Sequence, residues 1–284
     1  MSVKAQAGLL AIDIGTSRVK LGWFPSEVSC TSEKPPSALP IASPRLPEPA
    51  ETFACRHRDA PVQVFSAQIT HWLEEFVTGK PTVAIASVSP DATSHILAVL
   101  AASGFSDVRK LEVSDLPIKS GLHEPARVGI DRLLAAVAIN RIRSANTPVI
   151  VISLGTACTV NLISAEGVFE GGAILPGLTM AANALHEGTA SLPAILPESL
   201  KLPADAIGKN TNEAMSAGIY WGLIGAIEKI VAVQSQSLET SPDLYFTGGE
   251  GPLLVDGFIH DAYAVWLVPH LVLAGIAIAC EMQP

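Results

Sequence analysis

The chain is poor in the residues that build metal centres, membrane spans and polyanion-binding faces. Its four cysteines, Cys30, Cys55, Cys158 and Cys280, form neither a CxxC pair nor any other ligand spacing, which argues against a zinc site or a disulfide framework. Cys158 and Cys280 stand in aliphatic runs and read as buried thiols. Charged residues are only 16%, the formal net charge is −9, and no stretch is rich in Lys or Arg; no nucleic-acid partner is expected. The longest apolar stretch, Val265 to Cys280, contains Pro269 and His270 and is shorter than the roughly 20 residues a bilayer requires. Met1-Ser2-Val3-Lys4 leads directly into a strand-like run, so a cytoplasmic protein with no membrane association is expected. His186, His260 and His270 also lack ligand spacing and read as structural or surface groups.

Aliphatic residues, by contrast, are plentiful: the hydrophobic fraction is 49%, the composition of a well-folded α/β protein. Two segments of the same make stand out. Leu10-Ala11-Ile12-Asp13-Ile14-Gly15-Thr16 and Val149-Ile150-Val151-Ile152-Ser153-Leu154-Gly155-Thr156 each join an aliphatic strand to a short polar residue, a glycine and a hydroxyl. A second strand-like run follows each, Val19 to Phe24 and Cys158 to Ile163. Singly, each reads as an ordinary hairpin. As a pair they predict a duplicated fold whose glycine turns, with outward N–H groups, cradle phosphate from both sides.

The expected domains are 1–146 and 147–284, each opening with a hairpin or meander and continuing as alternating helix and strand. Residues 29–61 carry Pro35, Pro36, Pro40, Pro44, Pro47, Pro49 and Pro61. That many missing donors exclude a central strand and predict a surface insert with one edge strand at most. Helices are expected over 66–77, 91–102, 131–143, 176–185, 211–234 and 269–281, and strands at 82–87, 108–113, 168–172 and 244–247. Gly218, Gly222 and Gly225 lie along one face of the 211–234 helix and would permit close backbone approach.

These residues resemble the type III pantothenate kinases of the acetate and sugar kinase/actin superfamily. The resemblance rests on Asp13-Ile14-Gly15 with Lys20, Pro125-x-x-Val128-Gly129-Ile130-Asp131-Arg132 and Gly155-Thr156-Ala157-x-Thr159. It continues through Gly171-Gly172-x-Ile174-x-Pro176-Gly177, Thr189-Ala190-x-Leu192-Pro193, Gly208-Lys209-Asn210-Thr211, Ala214-Met215-x-x-Gly218 and Thr247-Gly248-Gly249. It implies an α/β, duplicated two-domain actin-like ATPase (ribonuclease H-like) fold with a nucleotide cleft between the halves. It also implies a homodimeric enzyme that moves the γ-phosphoryl of ATP, with Mg²⁺, onto pantothenate as the first step toward coenzyme A. Two alternatives are a catalytically weakened relative that acts by binding nucleotide or pantothenate, and a kinase for another small hydroxyl compound.

Phosphoryl transfer requires an aligned hydroxyl, a group to take its proton, and positive charge around the phosphate oxygens. Asp131 is the candidate base, and Arg132 offers a planar fork suited to the pantothenate carboxylate. Gly129 and Ile130 complete the substrate segment at a helix start. Without the resemblance, Asp131 would read as a helix cap and Arg132 as a solvated charge. Asp13 would hold Mg²⁺ on the phosphates; Ile14, Gly15, Thr16, Ser17, Arg18, Val19 and Lys20 form the nucleotide segment. Lys20 is either a point charge for phosphate or an outward surface residue. Thr156 corresponds to Thr16 in the second half. The resemblance sets Thr211 against pantothenate, whereas its position alone would make it a helix cap. Gly248, Gly249 and Gly251 either admit adenosine or form a plain turn. Family members usually carry Asp where this chain has Ser153 and Asn161, a carboxylate associated at the first position with a K⁺ or NH₄⁺ ion. Neutral oxygens there predict a weakened monovalent-cation requirement. Thr16 replaces a common Asn, and Leu122 a Tyr that lines the substrate pocket.

Overall fold

The computed structural model describes residues 8–26, 46–58, 60–196, 203, 205–255, 257–258 and 263–281. His260 and residues 29–45 of the proline-rich insert, Cys30 among them, lie outside them. The chain divides into two units, one of residues 1–118, 123–142 and 270–284, the other of residues 119–122 and 143–269.

The first unit is built on a sheet ordered β3-β2-β1-β4-β5. Its strands are β1 (Leu9–Ile14), β2 (Arg18–Phe24), β3 (Glu51–Arg56), β4 (Thr82–Ser87) and β5 (Val108–Lys110). β1, β2 and β3 form an antiparallel meander, and β4 and β5 add parallel strands. The insert therefore supplies an edge strand, drawn from its proline-free stretch between Pro49 and Pro61. Strand alternation sorts the side chains. Leu10, Ile12, Ile14, Val19, Leu21, Val83 and Ile85 form one core with Phe65, Ile69 and Leu73 of α1 (Val62–Phe76) and Ile96 and Leu100 of α2 (Pro90–Ala102). The opposite face carries Ala11, Asp13, Lys20, Gly22, Ala84 and Ala86, paired across the strands as Ala11 with Gly22 and Ala84, and Asp13 with Lys20 and Ala86.

That face of small residues takes α3 (Ile130–Ile142) and α7 (Leu271–Glu281), which contact β4 and β1. The two helices cross at Gly275, where a Cβ would lie 2.2 Å from the Leu134 carbonyl oxygen, so only glycine permits the approach. The apolar stretch from Val265 is thus two elements. A short strand ends at Leu267, Pro269 and His270 (φ 58) reverse the chain, and α7 returns to the first sheet. Residues 270–284, expected with the C-terminal half, group with the first unit for this reason.

The second unit repeats the plan. β6 (Val149–Leu154), β7 (Ala157–Ile163) and β8 (Phe169–Pro176) form an antiparallel meander, and β9 (Asp243–Thr247) and β10 (Val265–Leu267) add parallel strands, giving the order β8-β7-β6-β9-β10. Its core joins Ile150, Ile152, Val160 and Phe246 to Leu178 and Ala182 of α4 (Leu178–Glu187). The long helix α5 (Thr211–Ser235) adds a stripe at four-residue spacing, Met215, Ile219, Leu223, Ile227 and Val231, and α6 (Gly251–Val255) contributes Leu254. α5 is long and apolar enough to cross a bilayer by length and composition alone, but this stripe sits in the core of its unit. On α5, no atom of the described residues outside the helix's own adjoining turns lies within 4 Å of a Cβ built at Gly218, Gly222 or Gly225. The close approach expected along that face is therefore not made by this chain's own described residues.

Candidate active site

β1 ends by placing Asp13 on the α3 and α7 face, and the register puts Lys20 directly opposite it on β2. Lys20 is half-buried, so it faces the site and not open solvent. Asp131 is the second residue of α3, whose first turn it occupies without being its cap. The three charges act on one another within the first unit. Asp13, 6% exposed, is pushed up to about 6 by burial, with Lys20 opposing and the Asp131 carboxylate adding to the rise. Burial also raises the Asp131 carboxyl, against its hydrogen bonds from the Arg132 and Asp131 backbone and the charges of Arg132 and Lys20. Arg132 is lowered by its own burial, with Asp131 opposing. Burial outweighs the positive charge that reaches these carboxylates, Lys20 alone for Asp13 and Arg132 with Lys20 for Asp131.

Gly129 has a specific task. A Cβ there would lie 2.5 Å from Asp131 Oδ1, so any side chain would displace the carboxylate. Ile130 is buried and anchors the start of α3. The segment thus fixes a carboxylate and a guanidinium side by side at a helix N-terminus.

In the turn after β1, the Gly15 N–H donates to the Arg18 carbonyl at 2.9 Å, leaving the N–H groups of Thr16 and Ser17 as the turn's remaining donors. Ser17 is buried, and Thr16 and Arg18 are exposed. Ile14 and Val19 are fully buried in the core, so only their main chain can serve a ligand. The matching turn closes with Gly155 N–H on the Ala157 carbonyl at 3.1 Å. Neither Gly15 nor Gly155 takes the left-handed backbone region that favours glycine. The turns do not need glycine for their conformation; what glycine leaves there is bare main chain.

Thr156 and Thr211 belong to the second unit. Thr156 is half-buried, and its carbonyl accepts from Gly177 N–H at 3.1 Å. Thr211 is the first residue of α5 but not its cap: the Asn210 side chain accepts from Glu213 N–H at 3.0 Å. Thr211 instead lines an apolar groove of about 820 Å³ with Leu175, Met215 and Ile219. Ser153 stands between its register partners Thr159 and Thr247, and Asn161 donates to Thr159 Oγ1 at 2.9 Å. Every oxygen of that row is neutral. Gly248 (φ 93) is forced, since a Cβ would meet the Leu154 carbonyl at 2.0 Å.

Two residues outside the expected set lie against it. His57, at the end of the insert's strand, bonds the Gly15 carbonyl through Nε2 at 2.9 Å. His270 is lowered by burial and by the charge of Lys20. Neither contact has a local sequence signal, because each joins segments far apart in the chain. His186 is structural, bonding the Leu192 carbonyl through Nδ1 at 2.7 Å. Cys158 is buried and held at about 12 by burial and by Glu250, an inert thiol. Among the described residues no three His, Cys, Asp or Glu side chains gather as a metal cage.

A sequence model of the type III pantothenate kinase family matches residues 9–233. The type III pantothenate kinase of Synechococcus elongatus is 34% identical over 221 residues, 76% of this chain and 83% of the relative. That of Gluconobacter oxydans is 35% identical over 158 residues, so the match spans about half of each chain, 55% and 55%. The ethanolamine utilization protein EutJ from Carboxydothermus hydrogenoformans superposes with a TM-score of 0.50 at 13% identity, over 98% of this chain and 92% of its own, a likeness of fold alone. With its duplicated actin-like sheets and a family match over most of its length, the chain belongs to the type III pantothenate kinase family.

Proposed function

We propose that the protein transfers the γ-phosphoryl group of ATP to the primary hydroxyl of pantothenate, giving 4′-phosphopantothenate and ADP. One observation carries this reading: Asp13, Lys20 and Asp131 converge on one face of the first unit with Arg132 beside Asp131, and burial outweighs the opposing positive charge at both carboxylates. Such a site favours a bound cation and a hydroxyl proton donor. Asp131 accepts the pantothenate hydroxyl proton as the new O–P bond forms and the bond to ADP breaks. Burial keeps its carboxyl above the ordinary range, nearer the pH at which a base works best. Arg132 takes the pantothenate carboxylate through its planar fork, and Lys20 offsets phosphate charge. Thr16 and Ser17 N–H groups receive phosphate oxygens. Thr156 and Thr211 are assigned to nucleotide and pantothenate on the second unit.

A face with the carboxylates of Asp13 and Asp131, and no third metal-ligating side chain among the described residues, suits Mg²⁺, which binds through one or two carboxylates and relies on phosphate oxygens and water for its other ligands. When bound, Mg²⁺ supplies charge neutralisation on the phosphates. Asp13 would hold it. The neutral row of Ser153, Thr159, Thr247 and Asn161 offers a monovalent cation no carboxylate, so K⁺ or NH₄⁺ is not required for turnover. Homodimer assembly belongs to the same reading, supported by the uncontacted glycine face of α5 and its neighbouring apolar groove. The test is a coupled assay of purified protein with ATP, Mg²⁺ and pantothenate beside a panel of other hydroxylated acids. Pantothenate-dependent ADP release with formation of the phosphate ester is expected. Turnover of another acceptor with none on pantothenate would overturn the substrate, and no turnover on any acceptor would overturn the reaction.

A further inference from the structure

The residues that hold the first phosphate turn in shape come from the insert. β3 runs beside β2 in the register Val19 with Cys55 and Arg18 with Arg56. Immediately beyond, the N–H groups of His57 and Arg58 both donate to the Ser17 carbonyl, at 3.1 and 3.4 Å. The His57 ring reaches further and bonds the Gly15 carbonyl at 2.9 Å. A carbonyl only accepts, so Nε2 carries the proton, and either the Nε2–H tautomer or the imidazolium can make this bond. The ring meets Phe65 edge-on, with centroids 6.5 Å apart at 68°; Phe65 itself is 2% exposed in the core.

The consequence lies in the geometry of one peptide bond. In a trans peptide the C=O of one residue and the N–H of the next point in opposite directions. Drawing the Gly15 carbonyl toward His57 therefore turns the Thr16 N–H away from it. A carbonyl that accepts a bond also polarises its own amide, which strengthens that N–H as a donor. The Gly15 N–H belongs to the preceding peptide and is spent on Arg18, so that bond does not hold this plane. Glycine at 15 makes the point sharper, since the residue brings no side chain to restrain the peptide.

We propose that His57 is a positioning residue for nucleotide binding: by holding the Gly15 carbonyl it aims the Thr16 N–H at a phosphate oxygen of ATP. This rests on the kinase reading above. It assigns a role to a segment that otherwise looks like a surface excursion, and it makes the insert's strand part of the nucleotide site. His57 touches neither phosphate nor pantothenate in this role, so its effect is confined to nucleotide affinity.

The experiment compares wild type, His57→Ala and His57→Gln by calorimetric titration with Mg²⁺ and the non-hydrolysable analogue AMP-PNP, alongside KM for ATP and for pantothenate. His57→Ala should weaken analogue binding and raise KM for ATP by about threefold to tenfold, the worth of one hydrogen bond, with KM for pantothenate unchanged. His57→Gln keeps an N–H donor and should recover most of the loss. Analogue binding by His57→Ala equal to wild type overturns the proposal. So does His57→Gln binding as weakly as His57→Ala while its melting temperature matches wild type. If His57→Ala does not fold, His57→Phe, which fills the space without a donor, takes its place: a threefold to tenfold loss of analogue binding supports the proposal, and binding equal to wild type overturns it. Failure of wild type itself to bind the analogue would overturn the kinase reading, a result distinct from all of these.

Discussion

Replacing Asp13 with Asn should make the ligand-free protein more stable at neutral pH, and the size of the gain follows from the site. Asp13 lies in a sheet face covered by α3 and α7 and is 6% exposed, so ionising it there costs solvation that Lys20 only partly returns. Its value in the folded chain is about 6 against an ordinary 3.8. At about 1.4 kcal/mol per pH unit, the separation corresponds to a destabilisation of order 3 kcal/mol once the carboxylate is fully charged. The sign is set by the direction of the shift. A folded value above the unfolded one means that the stabilising contribution is complete below pH 3.8 and is lost as pH rises through 6. Asn keeps the shape and the oxygen but does not titrate. Urea unfolding of wild type and Asp13→Asn at pH 8, 6 and 4 should therefore show the variant ahead by up to about 3 kcal/mol at pH 8, with the gap closing toward pH 4. The same variant should lose Mg²⁺-dependent nucleotide binding, the usual exchange of stability for function at a site. A variant less stable than wild type at pH 8, or a gap that does not change between pH 8 and 4, would refute the reasoning.

Three further outcomes follow from particular contacts. Gly129→Ala places a methyl 2.5 Å from Asp131 Oδ1; the carboxylate must rotate, so kcat should fall at least tenfold while the urea midpoint stays near wild type. Gly275→Ala drives a methyl against the Leu134 carbonyl at 2.2 Å between two helices, and thermal unfolding should show a loss of about 1–3 kcal/mol or more. Turnover measured with and without added K⁺ should differ by less than twofold, because the row at Ser153 holds neutral oxygens only.

Much of the fold was legible because aliphatic strands have a strong period. The strand at 82–87 coincides with its expected span, and the paired Gly-Thr turns lead to two sheets of the same order. Boundaries suffered where the signal is carried by few residues. α1 begins at Val62, directly after Pro61; residues 62–64 are exposed, and the buried stripe of the helix starts only at Phe65. α2 begins at Pro90, one residue before its expected start, with Ser89 in the cap position. β10 is three half-buried residues paired to one neighbour, too short to show alternation. Asn210 took the capping role that Thr211 could have filled, since either side chain satisfies the same donor. The grouping of Asp13 with Lys20 could be read from hairpin register, whereas His57 and His270 reach the site through contacts across 42 residues and through the return of α7, which no local pattern encodes.

The most direct test of the account is the Asp131→Asn variant in the coupled assay with ATP, Mg²⁺ and pantothenate, with nucleotide affinity measured in parallel. Loss of kcat by about 10²–10⁴-fold with nucleotide affinity preserved is the predicted result. Turnover within a few-fold of wild type would contradict the assignment of Asp131 as the proton acceptor.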